Sequence, residues 1–312
     1  MELIRGSHNI KAKHHGCVAT IGNFDGVHLG HQAVIGQLAE KSAELNLPMV
    51  VISFEPQPLE FFLHEKAPSR LTRFREKCLA LSRFSVTRML SLPFNKKLAA
   101  MTAQNFIKDI LINGLGVQYL VVGDDFRFGH NRLGDFEMLK QAGKDNGFRV
   151  VNMHTFEVDD ERVSSTRIRQ ALQNGDLSYA EKLLGRSYRM SGRVAHGDKL
   201  GRELGFPTAN IFLHRKVSPM DGIFVVEVFG IDGEPIAGVA SIGNRPTVNG
   251  TKTLLEVFMF DFNRDIYGKH IQVSFLHKLR DQIRFDNLED LKDQINKDVQ
   301  ESKVFFKTGQ VH

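Results

Sequence analysis

Two histidines three residues apart, His28 and His31, are the pair of side chains in this sequence best suited to chemistry. They follow a short apolar run, Cys17 to Ile21, that is typical of a buried strand, and they open a helical pattern running from Gln32 to about Glu44. A separation of three residues places both imidazoles on one face of the first helical turn. Helix N-termini bind anions, because their first N–H groups are unpaired and the helix dipole is positive there. The pattern predicts a phosphate site where two imidazoles donate hydrogen bonds to charge that develops during a reaction.

The loop between this strand and this helix carries a longer motif. Gly22, Gly26 and Gly30 allow the backbone to approach a ligand where a side chain would block it. His28-x-Gly30-His31 resembles the HxGH motif of nucleotidyltransferases, and the segment from Gly22 to His31 resembles the bifunctional bacterial FAD synthetases, which combine riboflavin kinase and FMN adenylyltransferase. The resemblance implies that the nucleotide-binding residues here are Gly22, Asn23, Phe24, Asp25 and Gly30. The less specific alternatives are a metal-binding pair and two surface histidines.

The first half of the chain alternates between strand and helix patterns. Apolar runs at Met49–Phe54, Arg88–Leu92, Tyr119–Val122 and Phe148–Met153 are predicted strands, and Thr72, Thr102 and Phe136 mark predicted helix starts. Such alternation favours a parallel sheet with helices on both faces, with ligands at the carboxyl ends of its strands. This half is therefore predicted to be a Rossmann-like nucleotidyltransferase domain.

A loop and a hydroxyl-rich segment complete the expected nucleotide pocket. The loop from Gly123 to Gly129 resembles the flavin-side loop of FAD synthetases, which implies roles for Asp124, Phe126 and Phe128; the alternative is a tight turn with a solvated acidic pair. The segment from Val163 to Arg169 resembles their KMSKS-like element. That resemblance implies ATP triphosphate contacts from Ser164, Ser165, Thr166 and Arg169, and the alternative is an ordinary helix cap.

The second half is predicted to be a small antiparallel β-barrel followed by a helix. Short β-rich runs occur between Tyr188 and Leu276, and Asp232-Gly233 is a typical hairpin turn between two of them. A helical pattern from Asn287 to about Phe306 has one apolar face, which is expected to lie on the barrel. Since helical patterns end near Gly185, we predict two domains, residues 1–185 and 186–312.

The chemistry of the second half is expected in glycine-punctuated loops and one acidic residue. Thr208 and Asn210 offer neutral oxygens of the kind that Mg²⁺ accepts beside substrate phosphates. Glu256 lies in an apolar strand, where a carboxylate is unexpected and is suited to general-base catalysis, unless it points to water. Pro207-Thr208-Ala209-Asn210 resembles the PTAN motif of riboflavin kinases. The resemblance implies ATP- and flavin-binding roles for Gly192, His196, Gly197, Gly201, Gly205, Pro207, Thr208 and Asn210, with Thr208 and Asn210 holding the metal.

Composition excludes several other classes of protein. The chain has 312 residues, of which 42% are hydrophobic and 25% charged, as in a globular protein. Its net charge is +5, and its basic residues are scattered among acidic ones, which does not favour a nucleic-acid binder. No apolar run is long enough to span a membrane, and no signal peptide is visible. Two cysteines, Cys17 and Cys78, are expected to be reduced thiols of a cytoplasmic protein. No protein partner is implied.

The motifs of both halves together predict a bifunctional FAD synthetase. Its kinase half is expected to transfer phosphate from ATP to riboflavin, and its other half to join AMP to FMN, giving FAD and pyrophosphate; the expected small molecules are riboflavin, FMN, ATP and Mg²⁺. Glu256 is the expected kinase base, and His28 and His31 the expected adenylyltransferase residues. The alternatives are an enzyme with one working domain, an HxGH transferase with another substrate, and a non-catalytic flavin- or nucleotide-binding regulator.

Overall fold

The computed structural model describes residues 1–153, 156–197, 200–213, 215, 217–247 and 250–308, with only the backbone at 200, 202, 244–247 and 250–252. The chain forms two compact units. The first contains Met1–Pro68 and Thr72–Ser164, and the second contains Ser69–Leu71 and Ser165–His312.

The first unit is built on a six-stranded parallel sheet. Its strands are β1 (Glu2–Arg5), β2 (Cys17–Ile21), β3 (Met49–Phe54), β4 (Arg88–Leu92), β5 (Val117–Gly123) and β6 (Arg149–Met153). Their spatial order is β1-β4-β3-β2-β5-β6, and every pairing is parallel. A short hairpin of β7 (Glu157–Val158) and β8 (Glu161–Arg162) follows. The predicted parallel sheet is confirmed, and β2, β3 and β4 have the predicted bounds.

Helices cover both faces of this sheet. They are α1 (Leu29–Leu45), α2 (Pro58–Leu63), α3 (Phe74–Ser82), α4 (Lys96–Ala99), α5 (Ala103–Phe106) and α6 (Phe136–Asn146). Helix α5 continues into a π-helical segment, Ile107–Ile112. Because strand side chains alternate between faces, β2 sends Ala19 into a core with Phe106 and Leu120, and Val18 into a core with Ile35 and Leu81.

One of the two predicted threonine caps is correct. The Thr102 hydroxyl accepts a hydrogen bond from the Asn105 N–H at 3.2 Å and caps α5. The expectation for Thr72 is wrong, because the N-cap of α3 is Arg73. The Thr72 side chain instead bonds to the loop that follows β2, a contact between residues 47 apart that no local pattern reveals.

The second unit is a closed antiparallel barrel with helices before and after it. Helices α7 (Ser165–Gln173) and α8 (Leu177–Leu184) lead into β9 (Arg189–Ala195), α9 (Leu200–Glu203) and β10 (Thr208–Phe212). The remaining elements are β11 (Gly222–Phe229), β12 (Ile236–Thr247), β13 (Gly250–Met259), β14 (His270–Arg280) and α10 (Leu288–Thr308). The strand order is β10-β13-β12-β11-β14-β9, and α10 packs on β11, β12 and β14. The predicted barrel and terminal helix are confirmed.

A three-residue segment from early in the chain belongs to this second unit. Arg169 donates to the Ser69 carbonyl, Arg215 donates to the Arg70 carbonyl, and the Tyr188 hydroxyl donates to the Leu71 carbonyl at 2.8 Å. Leu71 is fully buried, and Arg215 is 8% exposed. The second unit is therefore assembled from two separate stretches of sequence.

Candidate active sites

The order of strands in the first unit creates a crevice between β2 and β5. From β2 the chain proceeds to β3 and β4 on one side, and later to β5 and β6 on the other. Loops that leave the carboxyl ends of two such strands diverge, and ligands of open α/β sheets bind in the gap between them. The loops at this point are residues 22–28, which contain the predicted phosphate motif, and residues 124–129.

Residues 22–28, named the phosphate loop after the predicted motif, are held by a side chain from outside the loop. The Thr72 N–H and hydroxyl donate to Asp25 Oδ1 at 2.9 and 3.1 Å, and the Gly26 N–H donates to the Thr72 hydroxyl at 3.0 Å. Phe24, Gly26 and Val27 all have positive φ, at 50°, 84° and 43°. Since a positive φ is unfavourable for Phe and Val, this clamp keeps the loop in a conformation it would not hold alone. Asp25, 2% exposed, thus has a structural partner inside the protein.

The two histidines of the motif stack at the start of α1. Their ring centroids are 3.7 Å apart with 20° between planes, as expected from their spacing. His28 is the N-cap, and its Nδ1 accepts from the His31 N–H at 3.4 Å. A ring nitrogen that accepts carries no proton, so the proton of His28 lies on Nε2, which can donate. A Cβ at Gly30 would come within 3.3 Å of the His28 ring, so glycine makes room for the stacked pair.

His31 is uncharged at neutral pH. Burial, first, and then the electrostatic effects of His28, Lys77 and Arg162 hold its pKa well below 6.5. Its Nδ1 is buried and has no hydrogen-bond partner among the residues that the structure describes. A buried polar atom without a partner costs free energy, and a ligand atom could supply that partner. The His31 ring also lies against Phe24, with 4.9 Å between centroids, which fixes its orientation.

The loop after β5 combines an ion pair with aromatic packing. Arg162, on β8, donates through both terminal nitrogens to Asp125 at 2.8 Å and lies 3.9 Å from Asp124. The Arg162 guanidinium holds the pKa of Asp125 below its usual 3.8. The rings of Phe126 and Phe128 stack at 5.5 Å, and Phe128, only 6% exposed, is a core residue. Asp124 and Phe126 are thus the more accessible of the three predicted flavin-side residues.

The hydroxyl-rich segment lies where the first unit ends and the second begins. Ser164 is the last residue of the first unit, and α7 opens with Ser165 and Thr166 in the second. Thr166 is exposed at the first turn of that helix, while Arg169 also holds the Ser69 carbonyl. The prediction that these residues contact a triphosphate stays a prediction.

An aromatic cluster at the carboxyl end of β3 was not singled out by the sequence motifs. The rings of Phe61 and Phe62 each lie within 6 Å of the Phe94 ring, and Phe62 is 60% exposed. An exposed ring at this edge of a parallel sheet offers an apolar surface to a planar ligand. The nearby Gln57 is 7% exposed, and its Nε2 has no partner among the described residues. Aromatic residues are common in cores, so their position became informative only with the fold known.

In the second unit, the predicted site residues form a row across three neighbouring strands. Asn210 of β10 pairs with Glu256 of β13, which pairs with Ser241 of β12. Directly opposite residues share a face of a sheet, so these three side chains stand side by side. The sequence interpretation of Thr208 and Asn210 as loop residues is wrong, since both lie on β10. The proline and glycines before them concealed this strand, whose alternate residues Ala209 and Ile211 are buried in the barrel.

A cavity of about 260 Å³ opens beside this row. Glu256 and Thr208 line it, and so do apolar residues of the barrel, of the segment after β14 and of α10. The polar remainder of the lining is Ser241, Arg280, Gln282 and Asp298, and the apolar part includes Leu204, Phe206, Ile223, Phe258, Phe285 and Ile295. A carboxylate beside an apolar slot can accept a proton from a hydroxyl of an otherwise apolar ligand.

Two residues that the sequence did not single out hold α10 over this cavity. Arg280 of β14 donates to both oxygens of Asp298 on α10, at 2.8 and 2.6 Å. Gln294 also donates to Asp298, at 3.0 Å, and the Asp298 side chain is 4% exposed. Gln282 donates to the Ile242 carbonyl at 2.7 Å. The start of the segment between β14 and α10, and the helix itself, are therefore tied to the barrel.

The predicted glycines of the second unit serve different purposes. A Cβ at Gly192 would come within 2.4 Å of Ile211, so this glycine serves barrel packing. A Cβ at Gly197 would meet the Asn210 amide, and Gly201 lines the cavity. Gly205 turns with a φ of +90° just before Pro207. The His196 ring packs on Tyr267, with 3.9 Å between centroids.

Comparison with known proteins identifies the family to which the chain that carries these two sites belongs. Residues 10–167 match the family described as FAD synthetase, and residues 184–306 match the family described as riboflavin kinase. A Haemophilus influenzae protein described as a bifunctional riboflavin kinase/FMN adenylyltransferase is 51% identical over 306 residues, 98% of this chain and 99% of the relative. The chain belongs to the bifunctional riboflavin kinase/FMN adenylyltransferase family. An Escherichia coli K12 relative of the same description is 51% identical over 98% of each chain.

As a riboflavin kinase/FMN adenylyltransferase, the chain phosphorylates riboflavin with ATP and then adenylylates FMN to FAD with release of pyrophosphate. This confirms the activity predicted from the motifs. A solved structure described as a macrolide-efflux protein from Streptococcus pneumoniae aligns with 97% of this chain and 99% of its own length, with a TM-score of 0.84 and 32% identity. Among the residues described here, no helix has the length and apolar character needed to cross a bilayer.

Proposed function

We propose that the stacked histidines of the first unit carry out adenylyl transfer, and that Glu256 and the cavity of the second unit carry out riboflavin phosphorylation. The observation that supports this most strongly is the separation of the reactive groups. The imidazole pair belongs to the first unit, whereas the Glu256 carboxylate beside an apolar cavity belongs to the second. Each group suits one of the two reactions of the family.

In the proposed adenylyl transfer, a phosphate oxygen of FMN attacks the α-phosphorus of ATP. The new oxygen–phosphorus bond forms as the bond to the β-phosphate oxygen breaks, and pyrophosphate leaves. His28 donates from Nε2, and an uncharged His31 donates or accepts through its unpartnered Nδ1 according to tautomer. Such preorganised groups stabilise charge on the phosphate oxygens without reorganising. The proposed contacts of the ATP triphosphate are Ser164, Ser165, Thr166 and Arg169. The proposed contacts of the flavin are Asp124 and Phe126.

In the proposed kinase reaction, the 5′-hydroxyl of riboflavin attacks the γ-phosphorus of ATP and loses its proton to Glu256. The bond from the γ-phosphorus to the ADP oxygen breaks. Phe206 and Phe258 supply apolar contact for the flavin rings, and Asn210 and Glu256, which pair across β10 and β13, orient the polar chain. Positioning of this kind supplies much of the catalysis in phosphoryl transfer.

The oxygens near Glu256 fit a Mg²⁺ ion bound with ATP. The amide nitrogen of Asn210 donates to the Thr208 carbonyl at 3.3 Å, which leaves Oδ1 as the acceptor atom of that side chain. Together with the Thr208 hydroxyl, it provides two neutral oxygens, and Mg²⁺ commonly completes its shell with water and phosphate oxygens. When bound, Mg²⁺ would neutralise charge on the transferred phosphoryl group. Thr208 and Asn210 would hold and orient the metal–nucleotide pair.

We further propose that the functional boundary lies near Gly185, with residues 1–185 for adenylyl transfer and 186–312 for the kinase. The two family matches are compatible with this boundary, because the FAD synthetase match ends at residue 167 and the riboflavin kinase match begins at residue 184. We also propose a cytoplasmic location, because both cysteines are free thiols, as in a reducing compartment. Riboflavin, FMN and ATP are the proposed partners.

A product assay with a double variant tests the site assignment. His28→Ala with His31→Ala is expected to lower pyrophosphate release from FMN and ATP by about a hundredfold or more, the usual cost of losing preorganised donors. ADP release with riboflavin should stay at the parent rate, which also serves as the control for protein quality. A double variant that still makes FAD near the parent rate would show that the histidines are not the adenylyltransferase site.

A further inference from the structure

A lysine is completely buried next to the phosphate loop. Lys77, in the second turn of α3, has no exposed surface, although lysine is almost never fully buried. Its Nζ lies 3.4 Å from the Ser53 hydroxyl at the end of β3. That hydroxyl donates to the Asn23 carbonyl of the phosphate loop at 3.3 Å. A chain of two hydrogen bonds thus runs from a buried ammonium group to the loop that precedes His28.

The charge of this lysine reaches the histidine pair. His31 is faced by the His28 ring at the start of α1, by Lys77 from α3 and by Arg162 from β8, and each of these three groups lowers its pKa. Little water separates the groups, because Lys77 is fully buried and His28 is 6% exposed. Interactions between charges are stronger where water is excluded, so Lys77 contributes a fixed positive potential behind the loop.

We propose that Lys77 is a positioning residue for adenylyl transfer. Through Ser53 it fixes the carbonyl of Asn23, and through its charge it keeps the loop attractive to phosphate and His31 uncharged. The proposal rests on the assignment of His28 and His31 to that reaction.

Packing alone does not account for a lysine at this position. Burial of an ammonium group costs several kcal/mol before its interactions are counted, so Lys77 must gain enough from its neighbours to offset that cost. A methionine would fill the same space between α3 and the sheet without that cost. The neighbours on which its charge acts include Ser53 and, through that hydroxyl, the Asn23 carbonyl of the phosphate loop.

The test compares Lys77→Met with Lys144→Met in the full-length protein. Both variants lose one positive charge of the first unit, but Lys144 is exposed on α6. Circular dichroism establishes that each variant is folded. For Lys77→Met we expect kcat for pyrophosphate release from FMN and ATP to fall at least about tenfold. We also expect His31, followed by NMR of its ring, to titrate at a higher pH than in the parent. Lys144→Met should match the parent in both measurements.

Each outcome decides the proposal. A folded Lys77→Met protein with kcat within about threefold of the parent overturns it, and so does a lower kcat with an unchanged His31 titration, which indicates packing alone. If Lys77→Met does not fold, the kcat of the Ser53→Ala variant tests the proposal instead. It keeps the charge but removes the bridging hydroxyl, and the net value of one hydrogen bond predicts a kcat lower by about threefold to tenfold. Parent activity of Ser53→Ala would then overturn the proposal. The His28/His31 double variant separates these results from failure of the site assignment itself.

Discussion

At the scale of single residues, the two sites depend on neighbours that lie far away in sequence. Glu256 gains Asn210 and Ser241 as neighbours only when the barrel closes, and Asp25 gains Thr72 only when the first unit folds. Glu256 thus has neighbours, and Asp25 has hydrogen-bond donors, that come from other strands or loops. The role of each residue can therefore be tested by removing one partner at a time.

The first residue-scale prediction concerns Glu256. Glu256→Gln keeps the shape and one carbonyl oxygen but cannot accept a proton from the flavin hydroxyl. General-base contributions are typically about 10²–10⁴-fold, so ADP release with riboflavin should fall by that factor. The KM for riboflavin should change far less, since the lost interaction belongs to the transition state.

The internal control for this variant is adenylylation of supplied FMN, which should proceed at the parent rate. Ser241→Ala is a matched comparison, because it removes the neighbouring polar group and leaves the carboxylate. It should retain most kinase activity. A Glu256→Gln kinase rate within about threefold of the parent would contradict the general-base assignment.

The second residue-scale prediction concerns Thr72. Thr72→Val removes the acceptor for the Gly26 N–H and the hydroxyl donor to Asp25, which is buried. Leaving a buried polar group without its partner costs about 1–3 kcal/mol, and the loop should lose its fixed conformation. We expect slower pyrophosphate release from FMN and ATP, and a lower midpoint for denaturant unfolding of the first unit.

Thr102→Val is the control for Thr72→Val. It removes the N-cap of α5 in the same unit, at a typical cost of about 1 kcal/mol, without touching the phosphate loop. Equal losses of adenylyl transfer in the two variants would mean that Thr72 affects stability alone.

At the scale of elements, helix α10 closes one side of the cavity beside Glu256, and one ion pair ties it to β14. Arg280 and Asp298 bridge β14 and α10 with two hydrogen bonds, while Leu291 and Ile295 of the same helix line the cavity. The helix pattern, its apolar face and its position on the barrel were all predictable from sequence. The ion pair was not, because charged residues are frequent on both elements and only the barrel register selects this pair.

Breaking this pair should loosen the cavity wall. Asp298→Ala leaves the Arg280 guanidinium without its carboxylate. Removing one partner of a fully buried pair lowers the free energy of unfolding by roughly 3–5 kcal/mol. The loss here should be smaller, because water reaches Arg280. We expect a higher KM for riboflavin and a lower unfolding midpoint. The double variant Arg280→Met with Asp298→Leu should recover much of the stability. If the single and double variants were equally unstable, the charge pair would not be what holds α10.

The hairpin of β7 and β8 has a similar connection to the loop after β5, and here the prediction is a pH effect. Arg162 lowers the pKa of Asp125 in the folded protein below its usual 3.8. A carboxyl whose pKa is lowered by folding stabilises the protein above its unfolded pKa, and that contribution disappears as pH falls through the folded value. Arg162→Met should bring the Asp125 pKa back up and shift acid unfolding of the first unit to higher pH. Both groups are partly exposed, so the shift should shrink in high salt. Carboxyl NMR titration measures it directly, and an unchanged Asp125 pKa would contradict the assignment.

At the scale of the whole molecule, periodicity alone gave the correct order of elements for most of the chain. The bounds of β2, β3 and β4 follow from short, mostly apolar runs, which are typical of buried parallel strands. Among the described residues, four strands escaped: β1, β7 and β8 are short, and β10 begins next to Gly205 and Pro207, which indicate a loop. The histidine pair was predictable because its contacts are local. The cavity lining and the Lys77 contacts were not, because they join distant segments.

The placement of α7 and α8 in the second unit gives a prediction about fragments. Leu177, Ala180 and Leu183 of α8 are buried, and α8 packs on β14. A fragment of residues 186–312 should phosphorylate riboflavin without making FAD. A fragment of residues 165–312 should do the same with a higher melting temperature, because burial of each such side chain is worth about 1.5–3 kcal/mol for leucine.

Melting curves and ADP release of the two fragments test this. Both fragments lack Ser69–Leu71, so that loss is shared and does not bias the comparison. Equal melting temperatures would mean that α7 and α8 do not stabilise the barrel. An inactive fragment of residues 186–312, beside an active longer one, would move the functional boundary from Gly185 toward the start of α7.

The small segment Ser69–Leu71 also constrains the order of events during synthesis on the ribosome. Arg215, which binds the Arg70 carbonyl, follows it by 145 residues, and Tyr188 follows Leu71 by 117. The ribosome adds about 5–20 residues per second, so the segment waits several seconds for the partners that bury it. Thr72, immediately after it, can meet Asp25 long before then. The nascent chain must therefore fold its phosphate loop while the adjoining three residues, including the apolar Leu71, are still exposed to solvent and to chaperones.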